Sequence, residues 1–250
     1  MLRTAGLILS SMLAVGAMPA QAASYGDTLL ADTARRHREI VRVEIVLTGP
    51  KADVLRYARG GAQGFDAAPT IVALNDGLGD PIGRVALTLR TPDARRAQAI
   101  AGELSRHIYT AAVLTEPDPF VSGVTRSPAG QALVERLLVR HPGLVTLALH
   151  VALPGRPNRI LASNFGRIGK PADDDDRHVI AETAVLKEMT NAGRRLAVEL
   201  PLLDRHGRTI GALSTSFLLG SGGIDSALVE AIAVRNALAR AIPSIAMLGH

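Results

Sequence analysis

Hydrophobic and polar positions along the chain show two periodicities: a period of two in short stretches and a period near 3.6 in longer stretches. The clearest strand pattern covers residues 195–217, where two arms rich in apolar and β-branched residues flank a polar turn. Asp204 opens this turn, where its carboxylate can accept from the amide two residues later. Gly207 closes it, where a positive φ costs other residues about 1 kcal/mol or more. The pattern therefore predicts a β-hairpin.

The same patterns predict the remaining elements of a mixed α and β chain. The first helix is expected to begin at Asp27 or Thr28 as N-cap, and the Gly-rich segment 49–69 is expected to be irregular, with a short helix at 51–58. Helices are predicted for residues 27–38, 91–112, 128–140, 173–192 and 224–241, and strands for residues 37–47, 70–74, 82–89, 141–151 and 159–163, besides the hairpin.

The order helix, strand, middle segment, strand, turn, strand, helix occurs twice along the chain. Positions in the two hairpins match at an offset of 128, and positions in the two first strands match at an offset of 104. The matched pairs are Leu74/Leu202, Asp76/Asp204, Gly79/Gly207, Ile82/Ile210 and Gly83/Gly211, then His37/His141, Ile40/Leu144, Val41/Val145, Val43/Leu147 and Ile45/Leu149. The second copy therefore holds about 24 extra residues between its first strand and its hairpin, and polar residues concentrate in them.

Two tandem modules of the α+β class follow from this repeat, each an antiparallel sheet flanked by helices. Prolines between residues 117 and 128 bracket a loop that we take as the boundary. The first module is expected over residues 23–117 and the second over residues 128–245.

The first 22 residues have the pattern of a secretory signal peptide. A basic start is followed by an apolar run over residues 5–17 and a small-x-small site, which predicts cleavage after Ala22. The apolar run is short for a transmembrane helix, although an uncleaved anchor is the alternative. No cysteine follows it, so a thioether-linked lipid anchor is excluded.

Composition narrows the class of protein further. A chain without cysteine has neither disulfides nor thiolate chemistry, and together with export this predicts the periplasm of a Gram-negative bacterium. The net charge of +5 comes from arginines scattered among acids, so nucleic acid is not an expected partner. Trp is absent and aromatic residues make up 3% of the chain, which argues against sugar-stacking sites and aromatic cages for amines.

One segment of the second copy resembles a known family. Ala162-Ser163 at a strand end, a short loop and then Ile168-Gly169-Lys170 are similar to the middle of extracellular Cache (PDC) sensor domains. The later spacing of Pro201, Asp204, Gly207, Ile210, Gly211 and Leu213 is similar to their terminal hairpin. The resemblance covers residues 128–242, and the first copy, which lacks the Ala-Ser and Ile-Gly-Lys segment, resembles a degenerate relative.

The resemblance implies a PAS-like fold with a small-molecule pocket between the sheet and its connecting loops, and it implies extracytoplasmic sensing. The family usually feeds a kinase, cyclase or chemotaxis output, and no output domain follows the last predicted helix here. A membrane-bound receptor or kinase is therefore the expected protein partner. The residue set of the family's amino-acid-binding members is not matched.

Six residues are candidate ligand contacts. Ser163, Asn164 and Lys170 lie in the loop where the resemblance places the pocket mouth, and Lys170 is a compact donor for a carboxylate. Ser214 and Ser216 share one face of the return strand, where small hydroxyls leave space and offer hydrogen bonds. The sixth is Asp173. The alternatives are that the loop only turns the chain and that the serines lie on an outer face.

The acidic run 173–176 has three interpretations, one of which is a contact with an amine of a ligand. Four acids ahead of a helix complement the positive end of its dipole. Alternatively, Asp173, Asp174, Asp176 and His178 form a site for a hard cation such as Ca²⁺, although the spacing of an EF-hand loop is absent.

No catalytic constellation is found in the sequence, and an enzyme is the least expected class. The leading hypothesis is a periplasmic small-molecule-binding protein of the sensor type. The alternatives are a metal-binding accessory protein that uses the acidic run, and a ligand-free module that docks on an envelope protein. No cofactor is expected.

Overall fold

A computed structural model describes residues 23–48, 54–58, 67–220 and 222–249. The predicted signal peptide, residues 1–22, lies outside the described residues, as does the beginning of the helix predicted at 51–58. Within the described part of the chain, no helix is both long enough and apolar enough to cross a bilayer.

The first module contains a four-stranded antiparallel sheet with the order β2-β1-β4-β3. Its elements are α1 (Tyr25–Arg36), β1 (Ile40–Leu47), β2 (Val54–Ala58), β3 (Thr70–Asn75), β4 (Pro81–Leu89), α2 (Ala94–Ser105) and a 3₁₀ helix (Ala111–Thr115). Helices α1 and α2 pack on one face of this sheet, where Leu30, Ile45 and Leu104 are among the buried core residues.

The second module contains a five-stranded antiparallel sheet with the order β6-β5-β9-β8-β7. Its elements are α3 (Pro128–Arg140), β5 (Leu144–Val151), β6 (Arg159–Ser163), α4 (Asp174–Glu182), β7 (Leu186–Thr190), β8 (Arg195–Leu203), β9 (Thr209–Leu218), α5 (Gly223–Ala241) and a 3₁₀ helix (Ile245–Gly249). Helices α3 and α5 cover one face with a core that includes Leu147, Leu200 and Leu238. The predicted α+β class with two sheet-and-helix modules is confirmed.

The two modules repeat each other down to strand register. Strands β1 and β5 begin 104 residues apart, and β4 and β9 begin 128 residues apart. Leu47 pairs with Gly83 in the first sheet, and the equivalent Val151 pairs with Gly211 in the second. The sequence offsets therefore correspond to equivalent positions in space.

Both glycines are required by the same close approach of two strands. A Cβ on Gly83 would lie 2.1 Å from the carbonyl oxygen of Val46, and one on Gly211 would lie 1.9 Å from that of His150. These are backbone atoms, so neither contact can be relieved by moving a side chain.

The aspartate at each hairpin turn also has the same function in both modules. The carboxylates of Asp76 and Asp204 each accept from the amides two and four residues later, at 2.9 and 3.0 Å for Asp76 and at 2.9 and 3.1 Å for Asp204. Gly207 has φ +75°, as predicted for the residue that closes the second turn.

The extra residues of the second copy contain α4 and β7, and here the prediction of one helix over 173–192 is wrong. The helix ends at Glu182, and Leu186–Thr190 pairs antiparallel with β8 as an edge strand. Thr183 follows the helix in the left-handed region, φ +53°, which ends the helical path. Strand pairing along β8 outweighs the local helical preference of this short segment.

Two smaller predictions in the first module are also wrong. Val54–Ala58 is a strand rather than part of a helix, because it pairs with β1 over five residues. The N-cap of α1 is Ser24 rather than Asp27 or Thr28, and Asp27 serves as the reciprocal partner of Ser24 in a capping box.

Polar groups buried between the modules hold them together. The hydroxyl of Tyr25 in α1 donates to the carbonyl oxygens of His107, at 2.8 Å, and of Asn164, at 3.0 Å. Further out, the guanidinium of Arg194 contacts the carboxylate of Asp80 at 3.0 Å. The loop after β6 is thus fixed against the first module.

Candidate functional site

The two faces of the second sheet differ in chemistry. One face packs its leucines and valines against α3 and α5, whereas alternate positions on the other face are polar. These polar positions are Thr146 and His150 on β5, Glu199 on β8, and Ser214 and Ser216 on β9. Their register brings them together, because Thr146 pairs with Ser216 and Glu199 pairs with Ser214.

A cover over this face leaves a partly open cavity of about 200 Å³, which we call the polar pocket. The cover consists of the loop between β6 and α4 and of Tyr109 from the first module, whose ring meets that of Phe165 edge to face at 6.2 Å. The lining side chains are Tyr109, Thr146, His150, Ile160, Phe165, Arg167, Lys170, Asp173, Arg195, Ala197, Glu199, Ser214, Thr215 and Ser216.

Three carboxylates converge beside one end of the polar pocket, and we call them the acid triad: Asp173 and Glu199, which line the pocket, and Asp176, which lies next to them outside its lining. One oxygen of each lies within 4.8 Å of the others. Asp173 and Asp176 form a capping box at the start of α4, in which each side chain accepts from the other's amide. The side chain of Asp176 is 1% exposed.

Some polar atoms at this end are buried without a hydrogen bond. Oδ1 of Asp176 and Oε2 of Glu199 have no hydrogen-bond partner. Nδ1 of His150 lies 2.9 Å from Oδ2 of Asp176, but the two are not aligned as a hydrogen bond. Oε1 of Glu199 accepts only a long hydrogen bond from Ser214, at 3.4 Å. Such atoms are costly to bury and uncommon in folded proteins, so each needs an explanation.

The charges in the acid triad change the ionisation of its members. Burial, followed by the negative charges of Asp176 and Asp173, raises the pKa of Glu199 to about 7. For Asp173 burial acts in the same upward direction, but the amide of Asp176 and the ammonium of Lys170 outweigh it and hold the pKa below its ordinary value. Glu199 is therefore the group that carries the repulsion.

The other end of the polar pocket is basic. Arg195 and Glu199 lie on the same face of β8 four residues apart, which places their backbones about 13 Å apart. Nε of Arg195 donates to the hydroxyl of Thr190 at 2.6 Å, and its guanidinium lies over the ring of Tyr109 at 4.5 Å. Among the described residues, Arg195 forms no ion pair.

The remaining cations of the polar pocket already have acidic partners. Arg167 holds Glu116 with two hydrogen bonds, at 2.9 and 3.0 Å. The ammonium of Lys170 lies 3.5 Å from the carboxylate of Asp173. Arg195 therefore differs from both, because no carboxylate occupies the N–H donors of its guanidinium.

The structure places four of the six candidate ligand contacts in the lining of the polar pocket, namely Lys170, Asp173, Ser214 and Ser216. Ser163 and Asn164 lie outside this lining and hold the cover in place. The hydroxyl of Ser163 donates to the carbonyl oxygen of Gly166. The carboxamide of Asn164 accepts from the amide of Leu147 and donates to the carbonyl oxygens of Val145 and Arg106.

The structure brings together only part of the set named for the metal alternative. Asp173 and Asp176 converge, and the third carboxylate beside them is Glu199. Asp174, whose side chain is 97% exposed, points away and pairs with Arg177. His178 is also exposed on α4. Spacing on the helix explains this, since Asp173 and Asp176 lie three residues apart and share a face, whereas Asp174 does not.

Sequence reasoning missed five of the lining residues that matter chemically: Tyr109, Thr146, His150, Arg195 and Glu199. A signal existed for two of them. His150 and Glu199 are polar residues between apolar neighbours in predicted strands, and such residues are either buried with partners or part of a site.

A larger cavity of about 620 Å³ lies beside the segment that joins the modules. Apolar side chains such as Val151 and Leu161 line it together with Arg126, Arg156 and Arg159. No acidic residue is among its lining. The polar pocket is the stronger candidate, because polar side chains of the second sheet converge there and buried oxygens of Asp176 and Glu199 beside it have no hydrogen-bond partner.

Comparisons with known proteins give slight similarity to solved ligand-binding domains. An IclR-family transcriptional regulator from Rhodococcus is 14% identical, with 66% of this chain and 74% of that chain covered and a TM-score of 0.34. The PobR inducer-binding domain from Acinetobacter, in complex with 3-hydroxybenzoic acid, is 12% identical, with 46% and 98% covered and a TM-score of 0.28. PelD from Pseudomonas aeruginosa, in complex with c-di-GMP, is 14% identical, with 88% and 77% covered and a TM-score of 0.24.

These scores are too low to support an argument about function. No family model matches the chain, and no curated protein matches it. The similarity to Cache domains therefore stays a resemblance of motifs, and the function has to be argued from the polar pocket itself.

Proposed function

We propose that the polar pocket binds a small organic acid whose carboxylate is held by Arg195. The observation that carries this proposal is the guanidinium of Arg195, which lines the cavity without an acidic partner among the described residues. A guanidinium matches a carboxylate with two parallel hydrogen bonds, and this fork geometry gives both strength and orientation.

The surroundings of Arg195 support carboxylate binding. Thr190 and the ring of Tyr109 fix the guanidinium before a ligand arrives, so less side-chain entropy is lost on binding. Next to it, the hydroxyls of Thr146 and Ser216, which lie 2.5 Å apart, can donate or accept toward a polar ligand.

The size of the cavity limits the ligand. A volume of about 200 Å³ equals roughly seven water molecules and lies below the 300 Å³ at which drug-sized pockets begin. This supports a metabolite of a few carbons. A ligand-free docking module would instead be expected to fill this face with apolar side chains.

We also propose that the protein works in the periplasm and presents its ligand-bound state to a membrane receptor or kinase. The support is the signal-peptide pattern of residues 1–22. Expression of the whole gene product followed by cell fractionation and mass spectrometry of the N-terminus tests this. We expect the protein in the periplasm with Ala23 as its first residue, and cytoplasmic protein starting at Met1 would contradict the proposal.

Calorimetry and thermal unfolding against a panel of mono- and dicarboxylic acids test the ligand class. We expect at least one acid to raise the melting temperature and the Arg195→Gln variant to bind it about 10- to 100-fold more weakly, as for a lost charged hydrogen bond. Arg195→Lys, which keeps the charge but not the fork, is expected to recover only part of the affinity.

The matched control is Arg240→Gln, which removes an exposed arginine of α5 on the other side of the sheet. It is expected to leave the affinity unchanged. A panel in which no acid binds, or an equal loss of affinity in the Arg240 variant, would overturn the proposal.

A further inference from the structure

We propose that the acid triad, Asp173, Asp176 and Glu199, binds a divalent metal cation of the hard, oxygen-preferring class, with Ca²⁺ as the best fit. This inference deepens the proposed function and rests on it in one respect. The acid triad repels an organic acid in the adjoining cavity of about 200 Å³, and a bound cation would offset that repulsion.

The geometry of the acid triad suits a cation of this size. One oxygen from each carboxylate lies within 4.8 Å of the other two, so a point at most about 2.8 Å from all three exists, and the 2.3–2.6 Å of Ca²⁺–oxygen bonds is within reach of a small side-chain adjustment. Mg²⁺ requires near-ideal octahedral geometry at about 2.0–2.1 Å, whereas Ca²⁺ accepts a flexible set of oxygen ligands such as carboxylates from a helix and a strand.

Buried oxygens without partners provide an independent indication of a ligand. The side chain of Asp176 is 1% exposed, and its Oδ1 has no hydrogen-bond partner. Oε2 of Glu199 is in the same situation. Metal coordination is one of the ways in which buried charges are satisfied in proteins. An explanation by helix capping alone does not reach these two atoms, because the capping box uses the other oxygen of Asp176.

Charge balance favours a dication over an organic ammonium group. The ammonium of Lys170 lies 3.5 Å from the carboxylate of Asp173 and offsets one of the three negative charges. A ligand with one positive charge would leave one of the other two carboxylates uncompensated, whereas a dication neutralises both. The donors are oxygens without thiolate, which favours Ca²⁺ over the softer transition metals.

Calorimetry on chelator-treated protein with CaCl₂ as titrant tests the inference, and MgCl₂ and methylammonium chloride serve as competing probes. We expect one Ca²⁺ site in the parent protein and at least about tenfold weaker binding in Glu199→Gln. Asp174→Asn is the matched control, because it removes a carboxylate from the same acidic run but outside the acid triad. Its affinity for Ca²⁺ is expected to stay within about twofold of the parent.

Three results would overturn the inference. These are no heat and no thermal stabilisation with CaCl₂ in the parent protein, an equal loss of affinity in Asp174→Asn, or stabilisation by methylammonium chloride in preference to CaCl₂. The last result would assign the acid triad to an organic ammonium group instead.

The two proposals can fail separately. Arg195→Gln is expected to lose the organic acid and keep the Ca²⁺ site, since about 13 Å separates the backbones of Arg195 and Glu199. An organic acid that binds in the presence of chelator, with no Ca²⁺ binding, would leave the proposed function standing and remove this inference. Ca²⁺ binding without any organic acid would do the reverse.

Discussion

The two sheets share four equivalent strands in the same order and register, and the second carries the polar pocket over its face away from the long helices. At the position of Thr146 the first sheet has Arg42, which is exposed. At the position of Glu199 it has Ile71, which is 55% exposed. The two sheets therefore differ in the side chains at equivalent positions of this face.

The loop between β6 and α4 and Tyr109 of the first module cover this face of the second sheet, and the extra residues of the second copy, which contain α4, follow that loop. On the first sheet Glu44 forms an ion pair with Arg56 in contact with water, where such pairs contribute little. A similar sheet face thus serves as solvated surface in one module and as a cavity wall in the other.

The largest expected effect tests whether the shared register is essential in both modules. Gly211→Ala and Gly83→Ala each place a Cβ against a backbone carbonyl oxygen, at 1.9 and 2.1 Å, so each is expected to destabilise its module by about 3 kcal/mol or more. Denaturant unfolding followed by circular dichroism measures this. Gly102→Ala, in open space on α2, is the control and is expected to be neutral or slightly stabilising.

If Gly83→Ala or Gly211→Ala unfolds at the same denaturant concentration as the parent protein, the two strand contacts are not equivalent. The close approach would then be incidental in that module.

The next largest effect concerns Asn164, which anchors the cover of the second sheet. Asn164→Ala leaves the buried amide of Leu147 and two carbonyl oxygens without their partner, so a loss of about 2–3 kcal/mol is expected. Tyr25→Phe, which removes one hydroxyl at the same junction, is expected to cost about 1 kcal/mol. Thermal unfolding of both variants measures the difference, and equal costs would show that Asn164 is not the main anchor.

A smaller effect is expected from a pair of substitutions at equivalent positions. Ser216 on β9 and Thr88 on β4 occupy the same register, but only Ser216 lines the polar pocket. Ser216→Ala is expected to weaken binding of the organic acid by about tenfold, and Thr88→Ala by less than about twofold. Calorimetry with the acid identified in the panel decides this. Equal effects of both substitutions would show that the ligand does not bind against the second sheet.

The smallest effect is a difference in titration between the two hairpin turns. Burial raises the pKa of Asp76, and the like charge of Asp80 adds to this. Burial also acts upward on Asp204, but the side chain and amide of Arg208 outweigh it, so the pKa of Asp204 lies below its ordinary value. Residues 80 and 208 are equivalent, and their opposite charges account for much of the contrast.

The two pKa shifts have opposite signs, so the contributions of the two aspartates to folding stability depend on pH in opposite ways. The contribution of Asp204 to stability is present above the pKa of the unfolded chain and is lost as the pH falls through its lowered folded value. Asp76 favours the folded state at low pH, and this contribution is lost as the pH rises through its raised folded value. Carboxyl carbon chemical shifts are expected to give a higher midpoint for Asp76 than for Asp204. Arg208→Gln is expected to raise the midpoint of Asp204, and identical midpoints in the parent would contradict the prediction.

Much of the fold could be predicted, because the repeated positions are residues that form strands and turns. The two offsets followed from glycines and aspartates whose backbone requirements are local, such as Gly83 and Asp76 with their counterparts. Two of the four edge strands, β2 and β7, are not predicted, because both are short and their conformation depends on pairing with a neighbouring strand.

The candidate site could be predicted only in part. Lys170, Asp173, Ser214 and Ser216 were found from a motif and from strand alternation, and both are local signals. Tyr109 and Glu199 reach the polar pocket from distant parts of the chain, and only tertiary structure brings them to Asp173. The same holds for Asn164, because its partner Arg106 lies 58 residues away.

The cover of the polar pocket is also part of the junction between the modules, since Arg167 binds Glu116 and Phe165 meets Tyr109. This loop cannot shift without changing its contacts with the first module. The wall of the polar pocket is therefore shared between the modules, and its shape depends on how they are joined. A change at the junction, outside the second sheet, is expected to alter the affinity for a ligand.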